Sequence, residues 1–245
     1  MNKDQDINPR VLNHISASEG ALSQQVYLSI KNAILGMEFR PGQNLRKALI
    51  CDQLGVSRAP VAEAITRLAS EGLVDVVPQS GTRISYFSMP EIQEGVFLRE
   101  ALELAVVRKV TRHLTEDQGR ILNRSMRLQT LLVEDDDISG FYEADEAFHE
   151  LLMSFTGFDR VADVAQTVSL QVSRARRLLL PTPGRIVESL EEHRAIVDAI
   201  LARNEQDAQD AMRRHLGQLM PRIELLHERM PELFNRATSE GREIA

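Results

Sequence analysis

The stretch Leu54-Gly55-Val56-Ser57-Arg58-Ala59-Pro60-Val61-Ala62-Glu63-Ala64-Ile65-Thr66-Arg67-Leu68 decides how the first third of the chain is read. Gly55 closes a preceding helix, and Ser57 brings a hydroxyl that can cap the orphan N–H groups of the next one. Pro60 falls in the first turn of that helix, where a missing N–H costs little. Val61, Ile65, Leu68 and Ala69 then recur on one face, and Gly72 ends the run. Arg58, Ala59, Ala62, Glu63 and Thr66 lie away from that stripe, so the opposite face is free for a partner.

Working outward, apolar residues at Leu22, Val26, Ile30, Ala33, Ile34 and Met37 predict a first helix that stops before Pro41-Gly42. A second, short helix runs from about Lys47 to Leu54. Leu73 to Val77 reads as a strand, Pro78-Gln79-Ser80-Gly81 as a turn and Thr82 to Tyr86 as the returning strand. Helix, helix, turn, helix and hairpin make a winged helix-turn-helix. A helix with one buried and one small-residue face suits the major groove of double-stranded DNA. Arg58 can fork onto guanine or grip phosphate, and Ala59 and Ala62 permit close approach. Arg46 and Lys47 are placed for phosphates, and Gly81 at the wing tip for the minor groove. Each charge taken singly could be a solvated one; as a set they point to DNA.

The chain of 245 residues carries a net charge of −7, which alone argues weakly against a nucleic-acid partner. Its distribution reverses that, because residues 20–88 hold seven basic and five acidic side chains, a net +2. Apolar residues make up 43% and charged residues 27%, the balance of a folded globular protein. The first ten residues have no apolar signal segment, and no later stretch reaches the length of a membrane span, so a cytoplasmic, nucleoid-associated protein is expected. A lone Cys51 forms no internal disulfide and reads as a small buried helix residue. Residues 1–19 read as a flexible leader, 20–87 as the DNA-binding domain, 88–235 as a second domain and 236–245 as a polar tail.

The second domain shows no alternating strand pattern and is expected to be an all-α antiparallel bundle. Six helices are placed at 90–113, 115–133, 139–156, 158–179, 185–203 and 205–230, with a kink at Pro221. Asp145 and His149, four apart, leave one helix face a turn apart. His193 and His215 are each eleven residues from the reversal at Asn204, so an antiparallel hairpin brings them to one height. Three imidazoles and a carboxylate can thus converge on a divalent metal ion. Zinc comes first for such a set, and nickel, manganese or ferrous iron are also accommodated. His14, His113 and His227 fit no such geometry. Arg99 and Glu103, also four apart, are either a surface ion pair or part of a pocket in which the guanidinium faces an anion. Arg174, Arg176 and Arg177 read as interface or solvent charges.

The residues Pro41-Gly42, Leu45-Arg46, Leu54 to Val61, Glu63-Ala64-Ile65, Arg67-Leu68, Glu71-Gly72-Leu73-Val74 and Gly81 resemble the GntR family of bacterial regulators. The resemblance carries over Arg58 as a DNA-contacting residue, and Arg46 and Arg67 with it. It departs at Ala62, where the family usually has an arginine that meets DNA. Asp145-x-x-Phe148-His149, Glu192-His193-x-x-Ile196 and Ala211-Met212-x-x-His215-Leu216 resemble the metal motifs of its FCD branch, related to the fatty-acid regulator FadR. Phe158 departs from the asparagine common there. Six helices rather than seven make the domain similar to the VanR type, and Arg99 matches the arginine that points at the pocket. The resemblance implies a homodimer on a palindromic operator, released when a small organic acid binds beside the metal. The competing expectation is a metal-dependent hydrolase or lyase with a DNA-targeting head, for which Glu103 and Glu192 are the only acid or base candidates.

Overall fold

The computed structural model describes residues 6–12, 21–77, 79, 81–179 and 182–235. The chain forms two compact units, one of residues up to Glu91 together with those from Leu225, the other of Ile92–Glu224.

The first unit contains α1 (Leu22–Leu35), α2 (Lys47–Leu54), α3 (Arg58–Ser70), β1 (Val74–Val77) and β2 (Gly81–Ile84). Helix α1 turns Val26, Tyr27, Ile30, Ala33 and Ile34 inward and packs on α3, which also holds α2. Gly55 takes a left-handed conformation (φ 66°) between α2 and α3, where a side chain would be strained. Ser57 stands at the N-cap of α3, but its hydroxyl makes no capping bond; its carbonyl instead accepts the Cys51 Sγ–H at 3.7 Å. Cys51 is partly exposed, not buried as expected. The two strands pair antiparallel with Val74 opposite Ile84 and Val77 opposite Gly81, giving the expected wing.

Two end segments correct the sequence reading. The leader was expected to be flexible, yet Ile7 and Leu12 are buried. The Ile7 N–H donates to Asn44 O at 3.0 Å, and the Gln53 amide donates to Leu12 O at 3.2 Å. Two apolar anchors five residues apart are too sparse to register as a period. Residues 1–5 and 13–20, like the tail 236–245, lie outside the described residues. At the other end, residues from Leu225 join the first unit and not the second, against the expected span 88–235. The Phe87 N–H donates to Leu233 O at 2.9 Å and the Asn235 N–H to Phe87 O at 2.8 Å. The buried rings of Phe87 and Phe234 lie 5.2 Å apart, and the His227 ring is tilted against Phe234 at 4.6 Å.

The second unit is built from α4 (Met89–His113), α5 (Glu116–Glu134), α6 (Ile138–Ser154), α7 (Val161–Val168), α8 (Leu170–Leu179), α9 (Arg185–Leu201), α10 (Glu205–Gly217) and the start of α11 (Leu219–Arg229). Thr115 and Gln118 form a capping box on α5, Asp137 caps α6 through Gly140 N–H, and Asn204 caps α10 through Asp207 N–H. Val107, Leu122, Phe141, Phe148, Leu152, Ile196, Ile200 and Met212 fill the core, with α9 against both α10 and α5. Two of the six expected helices are each interrupted once. Pro221 lacks the N–H that would take the Gly217 carbonyl, so the rod 205–230 breaks at Gln218, whose N–H turns back to His215 O at 3.3 Å. The rod 158–179 breaks at Ser169, beside Val168, whose carbonyl oxygen would lie 2.8 Å from a Cβ on Gly95 of α4. Among the described residues no helix is long and apolar enough to cross a membrane.

Candidate functional site

Asp145 and His149 on α6, His193 on α9 and His215 on α10 meet in the core of the bundle, all buried, with one ligand atom from each lying within 4.8 Å of the others. The hairpin argument is visible in the rings: His193 and His215 stand 4.7 Å apart, and His149 and His215 stack at 5.2 Å. Each imidazole is aimed by a bond on its outer nitrogen. His149 Nδ1 meets Glu103 Oε2 at 2.5 Å, His193 Nδ1 meets Gln129 Oε1 at 2.7 Å, and His215 Nδ1 meets Glu192 Oε2 at 2.7 Å. All three partners are acceptors, so Nδ1 carries the proton and the Nε2 lone pair of every ring faces inward.

The inward atoms then confront one another without a donor between them. His149 Nε2 and His215 Nε2 are 3.2 Å apart, and His193 Nε2 is a buried polar atom with no hydrogen-bond partner, 3.6 Å from Asp145 Oδ1. Opposing lone pairs beside a carboxylate repel unless a cation sits among them. Neighbouring ligands of a tetrahedral ion bonded at about 2.1 Å stand about 3.4 Å apart, close to the 3.2 Å between His149 Nε2 and His215 Nε2 and the 3.6 Å between His193 Nε2 and Asp145 Oδ1. The donor set therefore fits a divalent ion of the zinc type.

Electrostatics agree with that chemistry. Burial pushes the His193 imidazole well below its ordinary range, His215 adding to the effect, and burial outweighs the pull of Glu103 to lower His149 as well. Burial would raise the Asp145 carboxyl, but Arg176 and the three imidazoles prevail and hold it well below the usual carboxylate range. Glu103 is held low against burial by His149 and Arg99. Neutral imidazoles and charged carboxylates are what a metal takes.

Arg99 is buried and its Nε donates to Glu103 Oε1 at 2.6 Å, so the i,i+4 pair exists inside the bundle and not on its surface. It lines a cavity of about 40 Å³ beside the cluster, together with Asp145, Arg176, Arg185, Ser189, His215 and Arg222. Arg176 corrects the expectation of an interface or solvent charge: it is largely buried and bonded to Asp145. Arg174 is fully buried and donates to Gln171 Oε1 at 2.8 Å, and Arg177 lies 3.8 Å over the Tyr142 ring. The sequence reading also missed Gln129, Arg185 and Arg222. Signals were present: Gln129 is a lone amide on the apolar stripe of α5, and Arg222 follows His215 by two helical turns.

On the first unit, Ser57, Arg58, Ala59, Ala62, Glu63 and Thr66 are exposed, while Val61, Ile65 and Leu68 are buried as the periodicity predicts; Ala64 is buried with them, and Ala69 is only partly buried. Arg58 makes no ion pair among the described residues. Lys47 is exposed at the start of α2, and Gly81 is exposed at the wing with φ 106° and open space around it. Arg46 is exposed at the N-cap of α2 and pairs with Asp6 at 2.9 Å. Arg67 is exposed as well. Its guanidinium stacks 3.7 Å over Tyr27 and donates to Gln24 Oε1 at 2.6 Å, fastening α3 to α1.

Comparison with known proteins agrees with this architecture. Residues 22–84 match the gntR family of bacterial regulatory proteins, and residues 94–218 match the FCD domain. The HTH-type transcriptional repressor RspR of Escherichia coli K12 is 27% identical over 214 residues, covering 87% of this chain and 94% of that protein. An HTH-type regulator in an unstable DNA locus of Streptomyces ambofaciens is 33% identical over 211 residues, 86% of this chain and 89% of that one. Among solved structures, Escherichia coli McbR/YncC shares the fold with a TM-score of 0.74 at 18% identity, covering 85% of this chain and 99% of its own. A GntR-type regulator from Rhodococcus sp. RHA1 gives 0.68 at 25% identity, over 82% and 96% of the two chains. The chain thus belongs to the GntR family of bacterial regulatory proteins, and within it to those that carry an FCD domain.

Proposed function

We propose that the protein is a ligand-responsive transcriptional repressor that binds a palindromic operator as a homodimer and lets go when a small carboxylate enters the cavity beside the metal cluster. The observation that carries this reading is the convergence of three inward Nε2 lone pairs and the Asp145 carboxylate next to a cavity walled by guanidinium groups. Asp145, His149, His193 and His215 would hold the ion, zinc first, which when bound supplies a positive centre that takes a carboxylate oxygen. Arg99 and Arg176 add fixed donors for the same anion, and the bonds from Glu103, Gln129 and Glu192 keep the imidazoles oriented. The helix count supports the VanR type, because the eight helical segments from Met89 to Arg229 form six rods, two of them broken. The place of work is the cytoplasm, on the nucleoid.

Coupling follows from differential affinity: an acid that binds better to the released form of the dimer shifts the population toward it. On the DNA side Arg58 is the anchor, Lys47 and Arg46 flank it, and Ala59, Ala62 and Gly81 allow close approach. The enzyme reading finds no support. Glu103 is taken by Arg99 and His149, and Glu192 by Arg185 and His215, so neither candidate acid or base is available to a substrate.

Fluorescence anisotropy of a labelled operator with zinc-loaded protein tests the reading. At least one small organic acid is expected to weaken binding by about 5–150-fold, the usual span of an allosteric coupling, and only when metal is present. Arg58→Ala is expected to abolish sequence preference without touching zinc content. Operator affinity that no acid alters would overturn the ligand-responsive reading, and a fully active Arg58→Ala protein would overturn the placement of α3 on DNA.

A further inference from the structure

The arm of residues 6–12 lies along the edge of the wing sheet. Asp6 bridges Asn44 in parallel, Asn44 bridges Arg83 in antiparallel, and Arg83 faces Asp75 across the two strands of the wing. The arm is held there by more than this bridge. Pro9–Val11 forms a short single-turn helix against α2, capped by the Asn8 side chain, and Ile7 and Leu12 are buried on either side of it.

This docking sets an acidic side chain against one of the cations assigned to DNA. Arg46 follows Asn44 by two residues in extended backbone (ψ 109°), so both side chains leave the same face, and Arg46 Nε pairs with Asp6 Oδ2 at 2.9 Å. The carboxylate has little else to answer it. Its side chain is 13% exposed, its Oδ1 is buried with no hydrogen-bond partner among the described residues, and Arg46 is the one described cation that pairs with it. Letting Arg46 go would leave a largely buried charge uncompensated, which is costly. Arg58 and Lys47 carry no such tie, since neither makes an ion pair among the described residues.

We infer that Asp6 sets the affinity of the DNA face: held in place by the docked arm, its carboxylate competes with backbone phosphate for Arg46 and lowers the part of DNA binding that does not depend on sequence. The inference rests on the placement of Arg46 at phosphate proposed above. Phosphate contacts carry no sequence information, so weakening one of them leaves the base contacts of α3 a larger share of the total.

Fluorescence anisotropy of a labelled duplex of mixed sequence, titrated with full-length protein at several salt concentrations, tests it. Asp6→Asn keeps the size of the side chain and the backbone bridge to Asn44. It is expected to tighten binding and to steepen the logarithmic salt dependence by about 0.9, one more phosphate neutralised, so that its advantage grows about 3.5-fold between about 200 and 50 mM salt. Asp6→Ser is expected to act in the same direction. Adding Arg46→Gln is expected to cancel the gain, because the carboxylate acts through that guanidinium alone. Asp6→Asn protein that binds no tighter while Arg46→Gln by itself still weakens binding would overturn the inference and leave Arg46 on phosphate, and a gain that survives Arg46→Gln would overturn it too. Arg46→Gln without effect in either background would overturn the placement of Arg46 together with the inference.

Discussion

Gln129 is an amide in the middle of the buried stripe of α5, and its carbonyl oxygen takes the His193 Nδ1–H at 2.7 Å. Remove it and that proton has no acceptor in a dry core, while the ring loses the bond that aims its Nε2. Gln129→Leu is therefore expected to weaken zinc binding by about 10–100-fold, measured by competition with a chromophoric chelator; an unchanged affinity would show that packing alone orients the ring. At this scale the four inward ligands were legible, since helical spacing and equal distance from Asn204 fix them by geometry alone. Their outer partners were not. Arg67 shows the reason in the other unit: Tyr27 and Gln24, which capture its guanidinium, stand forty or more residues away, and no local period reports such a contact.

Helix breaks divide in the same manner. Pro221 announces its own interruption, because the missing N–H acts on the carbonyl four residues earlier wherever the helix sits. The break at Ser169 has neither proline nor glycine to signal it. Its neighbourhood is marked on another helix, by Gly95, where an added methyl would press on the Val168 carbonyl at 2.8 Å. Backbone does not yield as a side chain does, so Gly95→Ala is expected to cost about 1–3 kcal/mol of stability, read from the shift in a urea melting curve. A neutral substitution would show that α4 can retreat from α7 and α8.

For the molecule as a whole, the metal cluster should govern the stability of one unit and not of the other. Stripping the ion leaves three lone pairs and a carboxylate facing one another in the second unit, while the first unit contains none of the ligands. Protein saturated at about a thousand times its dissociation constant gains about 4 kcal/mol. Chelation is thus expected to lower the melting temperature of the second unit by about 10 °C, leaving a separate transition for the first. Scanning calorimetry with and without chelator decides it, and an unmoved transition of the second unit would mean that the cluster adds no stability. The domain order was readable because charge, glycine and apolar period change together near Ser88. The closing segment was not, because Leu233 and Phe234 find their partner some 150 residues earlier, across the whole second unit.

That pairing imposes an order on biosynthesis. A ribosome releases the three DNA-side helices and the wing early, but the cover over Phe87 comes from residues made only after the whole second unit has been synthesised. Until then the base of the wing shows a bare aromatic ring. A product cut short before Leu233 therefore carries a first unit whose aromatic ring at Phe87 has lost its cover, although every residue of its helices and wing has been made.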